Sequence, residues 1–186
     1  MTAAFFAPAS RPARRPTRIR VHRRPGTLHL GVITVAGLRL PCALGRTGIT
    51  RFKREGDGAT PAGRLQLLSA LWRADRALPP RAALTLTPIR ADAGWSDDPS
   101  DGRYNRPVRL PFAGSHEGLR RDDALYDRIG ILDWNVRRRR LGAGSAIFLH
   151  QARPDYAPTA GCIALAAPDL TRLLGRLGRR AAFVVV

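Results

Sequence analysis

From Thr27 onward, apolar residues come in short runs broken by glycine and proline. That rhythm belongs to strands and turns rather than long helices. Leu28–Val35 and Gly37–Leu44, meeting at Ala36-Gly37, predict a hairpin. Arg51–Gly63 reads as loop, and Arg64–Trp72 and Ala83–Ile89 as strands. Residues 92–116 are turn-rich, a short helix is expected over Glu117–Asp127, and Ile129–Trp134 returns to strand. Arg137–Arg140 reads as a solvated turn. Gly144–His150 and Gly161–Leu165 are further strands. Pro168 and Asp169 then open a helix carrying Leu170, Leu173, Leu174 and Leu177 at helical spacing, with Gly178 at its C-cap. Ala181–Val186 is a last strand, and no internal repeat is present. The pattern predicts a mainly β domain over residues 27–186 with one or two short helices.

The chain has 186 residues, enough for one ordinary domain plus a short tail. No apolar stretch approaches the ~18 residues of a membrane span. Two cysteines, Cys42 and Cys162, are too few for a disulfide framework, and no C-x-x-C pair suggests zinc. Charge changes the picture more. Lys plus Arg is 32 against 14 for Asp plus Glu, a net +18, and Lys53 is the only lysine. Such a balance attracts anionic partners, although coding bias toward arginine with a solvated surface explains it equally well.

Residues 1–26 hold seven arginines and no acid, with prolines at 8, 12, 16 and 25. They read as an extended or disordered basic tail able to touch an anionic surface. The apolar run Ala3–Ala9 precedes the arginines, the reverse of a secretion signal. Export is then unconventional, or the start differs, or the protein stays inside. Residues 92–133 are the opposite case. They contain nine of the 14 acids and six arginines, a local −3. A lid facing a substrate and a segment offsetting neighbouring arginines are equally open readings.

The chemistry concentrates in residues 148–165. His150 ends an apolar strand, a proline-rich loop follows, and Cys162 comes just after Gly161. A strand–loop–strand return can bring the cysteine back beside the histidine. Acyl transfer needs that pairing. A thiolate attacks a carbonyl, while an imidazole takes the thiol proton and later protonates the leaving amine. Backbone N–H groups around Gly161-Cys162 can receive the oxyanion. From pattern alone, core packing of both residues stays open.

The stretch Thr159-Ala160-Gly161-Cys162-Ile163-Ala164-Leu165 resembles the Ser-His-Gly-Cys-Ile-Arg-Met/Leu signature of the L,D-transpeptidase (YkuD-type) family. His150, at the end of Ile-Phe-Leu-His, matches that family's catalytic base. Gly58-Ala59-Thr60-Pro61-Ala62-Gly63-Arg64-Leu65 resembles its Thr-Pro-x-Gly-x-Phe segment. The resemblance implies a β-sandwich-like catalytic domain with Cys162 as nucleophile, His150 as general base and acid, and Gly161 in the oxyanion hole. It implies peptidoglycan stem peptides as partners, no cofactor or metal, and hence a periplasmic location. Two departures stand out. The family's histidine before Gly-Cys is Ala160, and its arginine two residues after the cysteine is Ala164, which suggests a different substrate grip.

Arg103-Tyr104-Asn105-Arg106-Pro107-Val108 is similar to a divergent alpha- and betaproteobacterial branch linked to crosslinks through the first-position L-alanine. That likeness places Arg103, Tyr104, Asn105 and Arg106 at the substrate, and Thr159, which opens the signature-like stretch, is expected there too. Arg103 or Arg106 would supply the lost carboxylate contact, unless they pair with Asp97, Asp98 or Asp101. Cys42 is expected in the core, with redox use as the alternative. Asp133-Trp134-Asn135 or a backbone carbonyl would orient His150. Trp72 and Trp95 wall the groove or fill core. His22, His29 and His116 lack ligand spacing.

Two other functions compete. The same Cys-His site using water would be an L,D-carboxypeptidase or endopeptidase. A non-catalytic basic binding module is the other. No specific nucleic-acid partner is expected, because helix-turn-helix, zinc-finger and RNA-recognition motifs are lacking. Oligomeric state is not legible.

Overall fold

The computed structural model describes residues 18–79, 83–178 and 180–186. The domain begins earlier than the hydrophobic pattern suggests. β1 (Arg18–Arg23) lies between β2 (Leu30–Val35), antiparallel, and β14 (Ala182–Val185), parallel. Ile19 and Val21 point into the core while Arg18 and Arg20 face solvent. This is the strand period of two, hidden in composition by its arginines. The expected tail of residues 1–26 is therefore corrected: residues 18–23 are sheet, and residues 1–17 lie outside the described part.

β2 and β3 (Leu38–Ala43) form the expected hairpin. Ala36 and Gly37 both take positive φ, 45° and 78°, as a two-residue turn matching strand twist requires. β4 (Ile49–Thr50) and β5 (Thr60–Pro61) pair in parallel across the loop. β6 (Gly63–Trp72) is the longest strand, with the short β7 (Leu86–Pro88) beside it.

Residues 92–118 depart most from expectation. β8 (Ala93–Ser96) lies between β9 (Arg106–Arg109) and β10 (His116–Gly118) in a small antiparallel sheet. The helix expected over Glu117–Asp127 does not form. β10 occupies its start, and only a 3-10 turn, Ala124–Tyr126, remains. The reason is local competition for backbone groups. Arg73 donates to the Arg121 carbonyl at 2.5 Å, and Arg76 to the Asp122 and Asp123 carbonyls at 3.0 and 3.2 Å. Those carbonyls would otherwise accept helical bonds. The Asp123 carboxylate caps the turn through the Leu125 N–H.

β11 (Arg128–Leu132), β12 (Phe148–Gln151) and β13 (Ile163–Leu165) follow. The main sheet runs β11-β12-β13-β3-β2-β1-β14-β6-β7, and β6 also pairs with β11, so the sheet closes on itself. Among the described residues the fold is mainly β with one α-helix, as the pattern predicts. That helix, α1 (Ala167–Leu174), buries Leu170, Leu173 and Leu174 in the main core. Each contributes roughly 1.5–3 kcal/mol by leaving water. It ends at Gly175 rather than at the expected Gly178, which bridges Ala83 instead.

Strand alternation sorts the two faces of β12 and β13. Leu149, Ile163 and Leu165 enter the main core. Phe148 and Cys162 join a second cluster with Trp95, Tyr126, Ile129 and Ile131. This second cluster joins residues of the small sheet to the outer face of the main one.

Candidate active site

Cys162 and His150 reach the same cleft because of strand pairing. β12 and β13 run parallel, with Leu149 opposite Ile163 and His150 opposite Ala164. Cys162 and Ala164 share a face, as do Phe148 and His150. Thiol and imidazole are therefore diagonal neighbours on one surface. Both line a cleft of about 360 Å³ with Ala164.

The turn carrying the cysteine is bolted to the Gly58–Thr60 block. The Thr159 N–H donates to the Leu44 carbonyl at 2.9 Å, and the Arg46 N–H donates to the Thr159 carbonyl at 3.0 Å. Buried Thr60 accepts the Gly45 N–H at 2.8 Å. Gly161 has φ 139°, and a Cβ there would lie 2.7 Å from the Ala59 carbonyl oxygen. Only glycine fits both the conformation and the approach. The two sequence blocks thus meet at Gly161. The Gly161 N–H already donates to Thr159 Oγ1 at 3.1 Å, and that hydroxyl donates to the Cys162 carbonyl at 2.7 Å.

The thiol is held from both sides. It accepts the Phe148 N–H and donates to the Ala146 carbonyl, each at 3.3 Å. Burial pushes its pKa up to about 12. Burial acts on His150 in the opposite sense, lowering its pKa to about 4, with Arg121 and Arg153 adding to the shift. Both groups rest neutral near pH 7. His150 Nδ1 lies 2.8 Å from the Gln151 carbonyl. A carbonyl only accepts, so Nδ1 carries the proton and Nε2 is left as the basic nitrogen. The backbone carbonyl, not Asp133-Trp134-Asn135, orients the ring. Asp133 accepts from the Gln66 N–H, and Asn135 bonds to the Arg140 and Gly144 carbonyls.

Tyr126, unremarked in the sequence, forms part of this site. Its ring meets His150 edge-on at 5.2 Å and Phe148 at 6.2 Å. Arg121 lies over its other side at 5.2 Å and pairs with Asp123 and Glu117. The only sequence signal was the locally acidic segment that carries it.

The structure separates the residues of the Arg103–Arg106 stretch from the cleft. Arg103 pairs with Asp101 and stacks on Phe112, 4.3 Å from the ring centre. Arg106 donates to the Asn105 and Val136 carbonyls. Neither lines the cleft, so the expected carboxylate contact from them is corrected. Tyr104 and Asn105 are each 1% exposed and stand behind the cleft wall. The Tyr104 hydroxyl donates to Glu55, which also accepts from Ser145 at 2.7 Å. Asn105 accepts from Trp95 Nε1 at 2.9 Å and from the Ala146 N–H at 3.1 Å. It thereby holds the residue whose carbonyl receives the thiol proton. Trp95 fills the second core cluster, the second of its two readings, and Cys42 is 1% exposed in the main core as expected.

A family model described as the L,D-transpeptidase catalytic domain, YkuD, matches residues 19–186. The chain belongs to the YkuD family. The match takes in β1, which agrees with the sheet beginning at Arg18. Among solved structures, the chain is similar to an L,D-transpeptidase from Mycobacterium tuberculosis H37Rv, at 12% identity and TM-score 0.44. That similarity covers 92% of this chain and 57% of the other. No curated protein matches the chain.

Within the YkuD frame, the two departures occupy distinct places. Ala160 is exposed at the cleft rim, and Ala164 is buried on its floor. The cations lining the cleft come from other segments: Arg46, Lys53, Arg121 and Arg153. Lys53 is bonded to Asp57, and Arg121 to its two acids. Arg46 and Arg153 have no carboxylate partner among the described residues. Arg46 lies across Gly58, where a Cβ would come within 2.6 Å of its Nε, and its Nη2 donates to the Gly56 carbonyl at 3.3 Å. Glu55, Asp97 and Glu117 line the same cleft, and Asp97 Oδ1 is buried without a hydrogen-bond partner among the described residues.

Proposed function

We propose that this YkuD protein is a peptidoglycan L,D-transpeptidase working through a Cys162 thioester in the periplasm. The observation that carries the reading is the pairing of β12 and β13. It sets a neutral thiol and a neutral imidazole, with Nε2 as acceptor, on one face of one cleft. As the Cys162 sulfur attacks a stem-peptide carbonyl, its proton passes to His150 Nε2. The negative charge moves to the carbonyl oxygen. The Gly161 N–H is occupied by Thr159, so the Cys162 N–H is the donor left at this turn to receive that oxygen. Collapse breaks the peptide bond, and the imidazolium returns the proton to the leaving amine. A second stem then attacks the thioester through its amine, which loses a proton to His150, and the thiol is regenerated.

Resting neutrality suits this sequence. The ion pair is needed only as the carbonyl is attacked, when a substrate has displaced water. The cleft also suits the substrate. Arg46 and Arg153 offer cations to a carboxylate, while Glu55, Asp97 and Glu117 offer anions to an ammonium. The diamino acid of a peptidoglycan stem carries both. Thr159 forms the wall beside the nucleophile.

The test is incubation with defined muropeptide monomers and mass analysis of the products, with Cys162→Ala in parallel. A Cys162-dependent crosslinked dimer supports the reading, and its fragmentation assigns the donor to the first or third residue. Trimmed monomers without dimers would replace transpeptidation by hydrolysis. Unchanged monomers would remove the enzymatic reading.

A further inference from the structure

We propose that an arginine-rich face built from the 51–54 and 137–143 loops docks the protein on an anionic lipid bilayer. The two loops form one unit. The Glu55 N–H donates to the Gly142 carbonyl at 2.8 Å. The Lys53 stem occupies the space a Cβ on Gly144 would need, with atoms 2.9 Å from it. Trp134 Nε1 ties the base of the second loop by donating to the Ala143 carbonyl at 2.9 Å.

Two large apolar side chains rise from this unit. Phe52 is 85% exposed and Leu141 66% exposed, and both line one surface depression of about 810 Å³. Arg51, Arg54, Arg64, Arg137, Arg138 and Arg140 line it too. Asp133 is the one acid among the lining residues, and its carboxylate accepts the Gln66 N–H. None of the six arginines has an ion-pair partner among the described residues. A second set of arginines, from the segments around and within residues 92–133, is neutralised instead. Arg73, Arg76, Arg90, Arg103, Arg120 and Arg121 each pair with an aspartate. Nine of the 14 acids lie in residues 92–133, and of these only Asp133 lines the depression, which holds six arginines against one acid.

Charge alone would suit any polyanion. The apolar tips narrow the choice. A solvated polymer has no place for a phenyl ring and an isobutyl group, whereas a bilayer offers acyl chains directly beneath its phosphates. Guanidinium groups around an apolar centre match that layering. The arginines bind phosphate oxygens in pairs, and the tips enter the boundary between headgroup and chain. Lys53 lines both this depression and the cleft, so docking would set the cleft at the membrane surface. Docking by this face does not depend on turnover at Cys162.

The test uses the full chain, co-sedimented at physiological salt with vesicles of phosphatidylcholine alone or mixed equally with phosphatidylglycerol. The wild type is expected to sediment only with the anionic vesicles. Replacing Arg137, Arg138 and Arg140 by Ser should weaken partitioning by about 100-fold, at about fivefold per basic residue. F52S/L141S should weaken it by about 100-fold while leaving the melting temperature unchanged, the scale of two large apolar side chains leaving water. Both variants keep residues 1–17, so any binding by that basic segment is common to all samples. Three results would overturn the proposal. They are wild-type partitioning by the arginine variant, no effect of F52S/L141S, and wild-type binding to purified cell-wall sacculi but not to anionic vesicles.

Discussion

Cys42 and Cys162 are both buried thiols, and burial pushes both to a pKa of about 12. By burial and titration they are alike. Their neighbourhoods are not. Cys42 sits on β3 inside the main core, among Leu40, Leu44 and Ile33. Cys162 sits on the outer face, at the edge of a cleft, with the basic nitrogen of His150 on the next strand. A raised pKa is thus no mark of a nucleophile, nor a bar to one. A thiol can react when a proton acceptor and an approaching carbonyl can reach it. The contrast also assigns different jobs to burial. In the core it contributes stability. At the cleft it holds thiol and imidazole neutral near pH 7.

The largest expected contrast is in turnover. Cys162→Ala should lower the rate of muropeptide crosslinking by about 10⁴-fold or more, as loss of a nucleophile does in a hydrolase triad. Crosslinking at wild-type rate in that variant would erase the distinction between the two cysteines. Replacing the base comes next. His150→Asn should cost about 10³-fold in kcat, within the range of general acid–base catalysis, without disturbing the fold.

A pH series sharpens the same point. The folded pKa of His150 is about 4, below the ~6.5 of an unfolded chain. Between those values the unfolded state takes up a proton that the folded state refuses. Stability should therefore fall on acidification from about pH 6.5 to 4, by up to roughly 3 kcal/mol. Urea unfolding at several pH values measures it, and His150→Asn should flatten this slope. Arg46→Ala should raise KM about tenfold with kcat little changed, if the guanidinium holds a carboxylate away from the reacting atoms. An unchanged KM would transfer that contact to Arg153. The smallest effect belongs to the core thiol. Cys42→Ala should cost about 1–2 kcal/mol of stability, read by urea unfolding, and leave crosslinking within twofold.

Legibility varied along the chain for physical reasons. The β2–β3 hairpin was readable because alternation and a two-residue turn are both local. The meeting of Cys162 and His150 on one cleft face was readable because Gly161-Cys162 and His150 are close in sequence and sit on adjacent strands. β1 was missed because its outward residues are arginines and a high charge count resembles a tail. The helix expected near 117–127 failed because Arg73 and Arg76, some 45 positions earlier, take the carbonyls that a helix would use. The Arg103–Arg106 stretch was misplaced for a related reason. Its charges are held by Asp101 and by main-chain carbonyls, while the cleft takes cations from Arg46 and Arg153. Tyr126 lacked any spacing that tied it to His150.

What the residue order determined by itself was the class of fold, the hairpin, the apolar helix and the two residues able to do thiol chemistry. Each rests on interactions within a few positions or on side-chain chemistry that no fold alters. Tertiary structure alone decided which face each strand presents, which histidine nitrogen is basic, and which arginines stay unpaired. Those depend on strand register and on partners far apart in the chain, and a one-residue slip in register would turn Cys162 away from the cleft.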